Sequence, residues 1–215
     1  MSEAAAAYYR DGYVHLRGFI PPEVGRGFLA RMQADLARQN VTFDKLEKSQ
    51  DLLIRPAAEI YGFHYAPMAT MHWGMTPAVA ALTGKDLLPT YAYFRLYRQG
   101  DRCKVHGDRP ACEHSLSLTL AYSDDAVWPL EMALEAIDKP YQRADDTFRA
   151  DEPFSSAPMQ AGDAVLYQGV THHHGRITPN PNAWSAHLFL HWVERGGPFA
   201  GSAFDGNAPP ERITI

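Results

Sequence analysis

Apolar and polar positions alternate most cleanly over His114–Tyr122, where Leu116, Leu118 and Leu120 are separated by Ser115, Ser117 and Thr119. A period of two predicts a half-buried strand. Thr90–Tyr97 is aromatic and alternating, and Gln99-Gly100-Asp101 after it reads as a turn, so a second strand is predicted there. Tyr13–Ile20 carries a third, with Gly12 before it and Pro21-Pro22 ending it. From Pro22 the period changes: Val24, Phe28, Leu29, Met32 and Leu36 recur at threes and fours and predict a helix with one core-facing stripe. Thr76-Pro77 and Gly84 frame a short second helix through Leu82. The pattern over 43–65 selects no element.

After Leu88 the chain turns to strands. Trp128–Ile137 fits strand or helix by pattern, and its neighbours favour strand. Residues 139–158 are polar and proline-containing and predict a long loop or irregular edge. Ala164–Tyr167 and Trp184–Val193 complete the set, seven or eight strands behind a helical N-terminus, and the glycine- and proline-rich tail from Gly196 is expected to wrap the surface. No internal repeat is visible. The fold class is mainly β with N-terminal helices. It divides into a support segment (1–88), a strand core (89–195) and a tail (196–215), all within one domain, which suits 215 residues at 46% hydrophobic content.

Composition removes several classes. The formal charge of −5 is dispersed, with no basic stripe to bind nucleic acid. No apolar run is long enough to cross a bilayer, and no signal peptide is read, so a cytoplasmic protein with no membrane partner is expected. Cys103 and Cys112 read as reduced thiols rather than a disulfide scaffold, and the Asn40-Val41-Thr42 sequon as idle.

The candidate chemistry lies in His106-Gly107-Asp108 and the distant run His172-His173-His174. On an extended strand, residues i and i+2 face the same way, so His106 and Asp108 are expected to reach one ion together. A third ligand must come from another strand. Two imidazoles and one carboxylate form the facial triad that leaves open positions on non-haem Fe(II). Within the histidine run, 172 and 174 share strand parity and 173 opposes them. An isolated His-x-Asp is common in turns, and its place between two strands is what raises it here. His187 and His191 share parity on the last strand, as substrate contacts or satisfied core histidines. Of Trp73, Trp128, Trp184 and Trp192, core packing is the commoner role. Met68, Met71 and Met75 read as a lid or gap-fillers.

Four stretches resemble the iron(II)/2-oxoglutarate-dependent oxygenases, near the prolyl-4-hydroxylase-like and phytanoyl-CoA-hydroxylase-like branches. They are Tyr8–Ile20 with Asp11-Gly12-Tyr13-Val14, Tyr97-x-x-Gly100 before the His-x-Asp pair, His106–Leu118, and Gly162-Asp163 followed by Leu166-Tyr167 and a histidine. The resemblance implies a double-stranded β-helix (jelly-roll, cupin-like) core and a hydroxylase acting on a small molecule or an amino-acid or peptide side chain. It implies Fe(II) held by His106, Asp108 and His174, with His172 as the rival distal ligand, and dioxygen and 2-oxoglutarate as cosubstrates. A carboxylate at Asp108 points to hydroxylation rather than halogenation.

The last-strand cation that usually meets the far carboxylate of 2-oxoglutarate is missing, because Asn182–His187 contains no Arg or Lys. The expected substitutes are Arg176 first and Arg95 second. Tyr97 or Tyr93 and Ser185 are expected hydroxyl partners, and Arg109 would reach a substrate or steady Asp108. For each arginine, a surface cation or structural ion pair is the plainer role. The alternatives are a cupin-type metalloenzyme working without 2-oxoglutarate, and a non-catalytic barrel that binds a metal or ligand.

Overall fold

The computed structural model describes residues 3–138, 144–207 and 212. Helix α1 (Glu3–Asp11) leads through Gly12 into β1 (Tyr13–Leu16); helix α2 (Pro22–Ala37) follows, then β2 (Glu47–Lys48), β3 (Ala57–Tyr61) and helix α3 (Ala66–Thr83). The strand core comprises β4 (Leu87–Arg98), β5 (Cys103–His106), β6 (His114–Tyr122), β7 (Leu130–Ala133), β8 (Phe154–Ala157), β9 (Ala164–Tyr167), β10 (His174–Arg176) and β11 (Trp184–Glu194). Two antiparallel sheets form, a seven-stranded one in the order β1-β9-β6-β11-β4-β3-β2 and a four-stranded one in the order β5-β10-β7-β8.

The large sheet divides its side chains by face. Even-numbered positions on its three long strands, among them Ala92, Phe94, Leu96, Leu116, Leu118, Leu120, Leu188 and Leu190, join one hydrophobic core with Met32 of α2 and Met68 and Val79 of α3. Odd-numbered positions carry the rings and polar groups: Tyr91, Tyr93, Arg95 and Tyr97 on β4, Ser115, Ser117 and Thr119 on β6, and Ser185, His187, Phe189 and His191 on β11. These point toward the small sheet. Strand β6 is therefore buried along its whole length, not half-buried as its pattern predicts. Helices cover one face and the second sheet the other, so the polar phase of the alternation marks an interior site instead of solvent.

Several elements depart from their sequence patterns. In α2, Gly25 takes the core position expected of Val24, which is 49% exposed. A β-carbon on Gly25 would stand 2.6 Å from the Leu120 carbonyl oxygen, so helix and strand backbones meet there. The first strand stops at Leu16. Beyond it, the Asp163 carboxylate accepts the Gly18 and Gln160 N–H groups at 2.7 and 3.0 Å, tying the following turn to the start of β9. The helix expected from Pro77 begins earlier, with Pro67 in its first turn and Pro77 in its interior. Thr76 is not a cap; its hydroxyl accepts Trp192 Nε1 at 2.9 Å. Gly84 ends the helix as expected, in the left-handed conformation.

Only Leu130–Ala133 of the 128–137 stretch is strand. Of the 139–158 loop, 139–143 lie outside the described residues, and Phe154–Ala157 is strand. Eleven strands thus form among the described residues, against seven or eight expected, and β1, β2 and β3 extend the large sheet from the N-terminal segment. The tail folds back as a 3-10 segment, Ala200–Gly206, and 208–211 and 213–215 lie outside the described residues.

Candidate metal centre

Strand β10 brings His174 into register with His106 of β5, across the small sheet. Asp108 lies just past the end of β5, so same-face strand geometry does not deliver it, contrary to the sequence expectation. Its own N–H donates to the Gly169 carbonyl at 2.8 Å, and this loop contact turns the carboxylate back toward the histidines. His106 Nε2 lies 3.7 Å from Asp108 Oδ1, and His174 Nε2 lies 3.5 Å from Oδ2. One donor atom from each of the three residues falls within 4.8 Å of the other two.

Both rings have their tautomers fixed. His106 Nδ1 is 2.8 Å from the Lys104 carbonyl and His174 Nδ1 is 3.1 Å from the His172 carbonyl. A carbonyl only accepts, so each Nδ1 carries its proton and each Nε2 presents a lone pair to the shared space. Burial holds the His106 and His174 pKa values down to about 4, so both imidazoles are neutral at ordinary pH. Burial raises the Asp108 carboxyl to about 6. The set fits a divalent cation: two neutral imidazoles and one largely buried carboxylate whose negative charge has little water around it.

The other histidines of the run are placed elsewhere. His172 packs on Gly12, where a β-carbon would fall 2.2 Å from its ring, and its Nδ1 lies 3.2 Å from Thr171 Oγ1. His173 Nδ1 meets Glu152 Oε1 at 2.5 Å.

A small cavity of about 20 Å3 continues inward from the three residues, lined by Tyr93, Arg95, Tyr97, Tyr167, Arg176 and Phe189 among others. The two candidate arginines differ in their charge balance. Arg95 Nε donates to Glu59 Oε1 at 2.5 Å, Nη1 to Tyr97 Oη at 3.0 Å and Nη2 to Gln50 Oε1 at 3.1 Å, a buried ion pair already satisfied. Arg176 is 1% exposed and makes only neutral contacts. Its Nη1 donates to the Trp128 and Pro129 carbonyls at 2.7 and 2.8 Å, and its carbon lies 4.6 Å over the Trp128 ring. No carboxylate pairs with it among the described residues.

His187, cross-strand from Arg95, has Nδ1 3.4 Å from Arg176 Nη2, so it accepts there and carries its proton on Nε2, which is buried without a hydrogen-bond partner. Ser185 is not brought to the cavity; its hydroxyl donates to Asn180 Oδ1 at 2.7 Å within a turn. Arg109 pairs with Asp205 at 2.9 Å rather than with Asp108, and its charge reaches the Asp108 carboxylate only through space, favouring the ionised form.

Four contributors escape the sequence reading. Glu59 neutralises Arg95 from a stretch whose pattern selects no element. Ser115 places its hydroxyl 2.8 Å from His191 Nδ1 and 3.5 Å from Asp108 Oδ2. Tyr167 sets its ring 4.6 Å from that of His174. Gly169 reads as a strand breaker, yet it is the residue that leaves room for the Asp108 carboxylate.

No protein-family model matches the sequence, and no curated protein does. Solved structures do. The non-heme alpha-ketoglutarate-dependent carbocyclase SnoK from nogalamycin biosynthesis superposes with a TM-score of 0.68 at 13% identity, over 90% of this chain and 84% of its own. This chain has the fold of the 2-oxoglutarate–iron(II) oxygenases. A prolyl-4-hydroxylase from Pseudomonas putida shares that oxygenase fold with a TM-score of 0.58 at 18% identity, over 90% of this chain and 98% of its own. HygX from Streptomyces hygroscopicus, in a structure holding nickel, 2-oxoglutarate and hygromycin B, gives 0.63 at 11% identity, over 90% and 87%. Within the oxygenase fold, the mainly β architecture and jelly-roll core expected from the sequence hold. No helix among the described residues is long and apolar enough to cross a membrane.

Proposed function

We propose that this chain is an iron(II)- and 2-oxoglutarate-dependent oxygenase whose metal ligands are His106, Asp108 and His174. One observation carries the reading: two imidazoles, each with Nδ1 tied to a backbone carbonyl, aim their free Nε2 atoms at one carboxylate inside an oxygenase fold. Iron(II) with 2-oxoglutarate and dioxygen supplies the oxidation of an unactivated C–H bond, here a hydroxylation.

The residues of this chain bind and orient. Arg176 is the anchor for the far carboxylate of 2-oxoglutarate, because a buried guanidinium with no carboxylate in direct contact, and only Glu131 acting on it through space, is costly until an anion reaches it. His187 adds its unpartnered Nε2–H to the same region. Arg95 and Tyr97 form the adjoining wall, and Ser185 has its hydroxyl engaged at Asn180 and only supports the turn. Tyr93 and Phe189, stacked 4.6 Å apart, keep water from that cavity. The substrate is a small molecule reaching the metal centre through a chamber of about 330 Å3 lined by Tyr61, Tyr91, Tyr93, His106, Asp108 and Arg109.

The test is an anaerobic titration of the Fe(II)-loaded protein with 2-oxoglutarate, following the metal-to-ligand charge-transfer band in the visible. The band is expected in the wild type. It should need about 10–100-fold more 2-oxoglutarate in Arg176→Gln, the loss expected for a buried charge-assisted pair. Iron held tightly with no band at any 2-oxoglutarate concentration would replace this reading with a cupin-type metalloenzyme.

A further inference from the structure

The chamber beside the three ligands shares its Tyr91 wall with a second, larger cavity of about 410 Å3, lined by Phe63, His72, Trp73, Thr90 and Phe204 among others. The polar side chains of this outer chamber are largely spent within the protein. His72 Nε2 donates to the His191 carbonyl at 2.8 Å, Thr90 Oγ1 to the Ala111 carbonyl at 2.7 Å, and Asp205 takes Arg109 Nη2 at 2.9 Å. What remains for a ligand is ring surface. Phe63 and Trp73 are 70% and 58% exposed, and two large rings left in water around one cavity mark a contact surface rather than scattered exposure.

The inner chamber repeats this chemistry in a more ordered form. Tyr61 and Tyr91 stack at 6.4 Å and 25°, and Tyr91 and Tyr93 at 6.1 Å and 11°, giving a flat aromatic face beside the metal ligands. Tyr91 and the Arg109–Asp205 pair form the waist where the chambers adjoin, and their positions are fixed. Tyr91 Oη is 3.2 Å from Cys112 Sγ, and the Arg109 guanidinium lies 4.1 Å over the Tyr91 ring, held there by Asp205. Arg109 and Asp108 both line the inner chamber, so this boundary stands beside the carboxylate. Each chamber alone lies in the range of about 300–1,000 Å3 typical of small-molecule sites. A free amino acid would leave the outer one to water.

We propose that the substrate carries at least two ring systems, one seated on the tyrosine stack beside the metal and the other between Phe63 and Trp73. The Tyr91–Arg109–Asp205 waist selects for molecules long enough to span both chambers. As an assignment of substrate, this rests on the oxygenase reading; as an assignment of a ligand site, it does not.

The probe is 1-anilinonaphthalene-8-sulfonate, which carries two ring systems, compared with the single-ring 4-hydroxyphenylacetate. Both are titrated into the full chain, first metal-free by fluorescence and then loaded with Co(II), whose d–d bands report on its ligands. One saturable probe site is expected, weakened about tenfold in Phe63→Ala and in Trp73→Ala, with melting temperatures unchanged because both rings are exposed. The probe should shift the Co(II) bands, and 4-hydroxyphenylacetate should displace it only at about 100-fold higher concentration. Probe affinity indifferent to both substitutions, or a single-ring compound binding as tightly, overturns the proposal. Ring-dependent probe binding without metal uptake would keep the two-chamber site and remove the oxygenase reading. Metal uptake and a charge-transfer band with ring-independent binding would do the reverse.

Discussion

The α-carbon of Gly169 faces the carboxylate of Asp108 so closely that a β-carbon at 169 would lie 2.2 Å from Oδ2. The same pair is joined through the backbone, since the Gly169 carbonyl accepts the Asp108 N–H at 2.8 Å. Retreat is blocked on another side by Ser115 Oγ, 3.5 Å from Oδ2. Gly169→Ala must therefore push the carboxylate off its position between the two imidazoles. Affinity for Mn(II) or Co(II), measured by calorimetric titration, is expected to fall about 10–100-fold, the loss seen when support of a metal ligand is removed. Unchanged affinity would mean that Asp108 is not a ligand.

The histidine run makes a sharper contrast. His174 lies with His106 and Asp108, whereas the His172 ring packs against Gly12. Saturating Mn(II) should raise the melting temperature of the wild type and of His172→Ala, and leave His174→Ala unmoved. At about 100 times the dissociation constant, that shift corresponds to about 2.7 kcal/mol. A shift retained in His174→Ala but lost in His172→Ala would exchange the two assignments.

Much of this site was legible in the residues, and the rest was hidden for identifiable reasons. His106, Asp108 and His174 stand out because few side chains bind metal and their spacing is restrictive. The strands over 90–97, 114–122 and 184–193 follow from alternation. Glu59 does not stand out, because one carboxylate in a short strand looks the same whether it meets solvent or Arg95, 36 residues away in the chain. The turn that brings Asp108 inward depends on a backbone bond to Gly169, which leaves no side-chain signature. Pro77 misled because a proline marks a helix start far more often than an interior, and here the start had passed to Pro67.

Acid should weaken the metal-free protein. Burial holds His72, His106, His114 and His174 down to about 4, against 6.5 in the unfolded chain. Between those values the unfolded state binds more protons, so stability falls as pH drops through 6.5 and levels off only below about 4. Asp108, raised to about 6 by burial, acts in the opposite sense and offsets part of the loss. Burial raises Asp101, Glu113 and Glu131 as well, but it also lowers His172, His187 and His191, so seven imidazoles stand against four carboxyls. Melting temperatures are expected to decline steadily from pH 7 to pH 4.5; a flat or rising profile would contradict the burial of these rings.

Adjacent residues of β6 should respond in different ways. Leu118 is fully buried in the core against the helices, and Leu118→Ala should cost about 2–5 kcal/mol by chemical denaturation. Ser117 faces inward with a hydroxyl that finds no hydrogen-bond partner. Ser117→Ala should change stability by less than about 1 kcal/mol or raise it, since an unsatisfied buried hydroxyl is removed. A large loss at Ser117 would place a water or ligand on that hydroxyl.

On β4, β6 and β11 this division runs through the middle of each strand, over 91–97, 115–120 and 185–191, and lapses at the ends, where Leu87 joins the helix-side core and Tyr122 the inward rings. Cohesion is written on the even numbers and chemistry on the odd ones, like two messages interleaved in one line of text. A library confined to positions such as 91, 93, 115, 117, 189 and 191 would rewrite what the interior recognises while the scaffold stays constant. The reverse experiment, varying only 92, 94, 116, 118, 188 and 190, would tune heat resistance and leave selectivity alone. In most sheets such freedom is available only on the face turned to water; here it sits at the centre of the molecule.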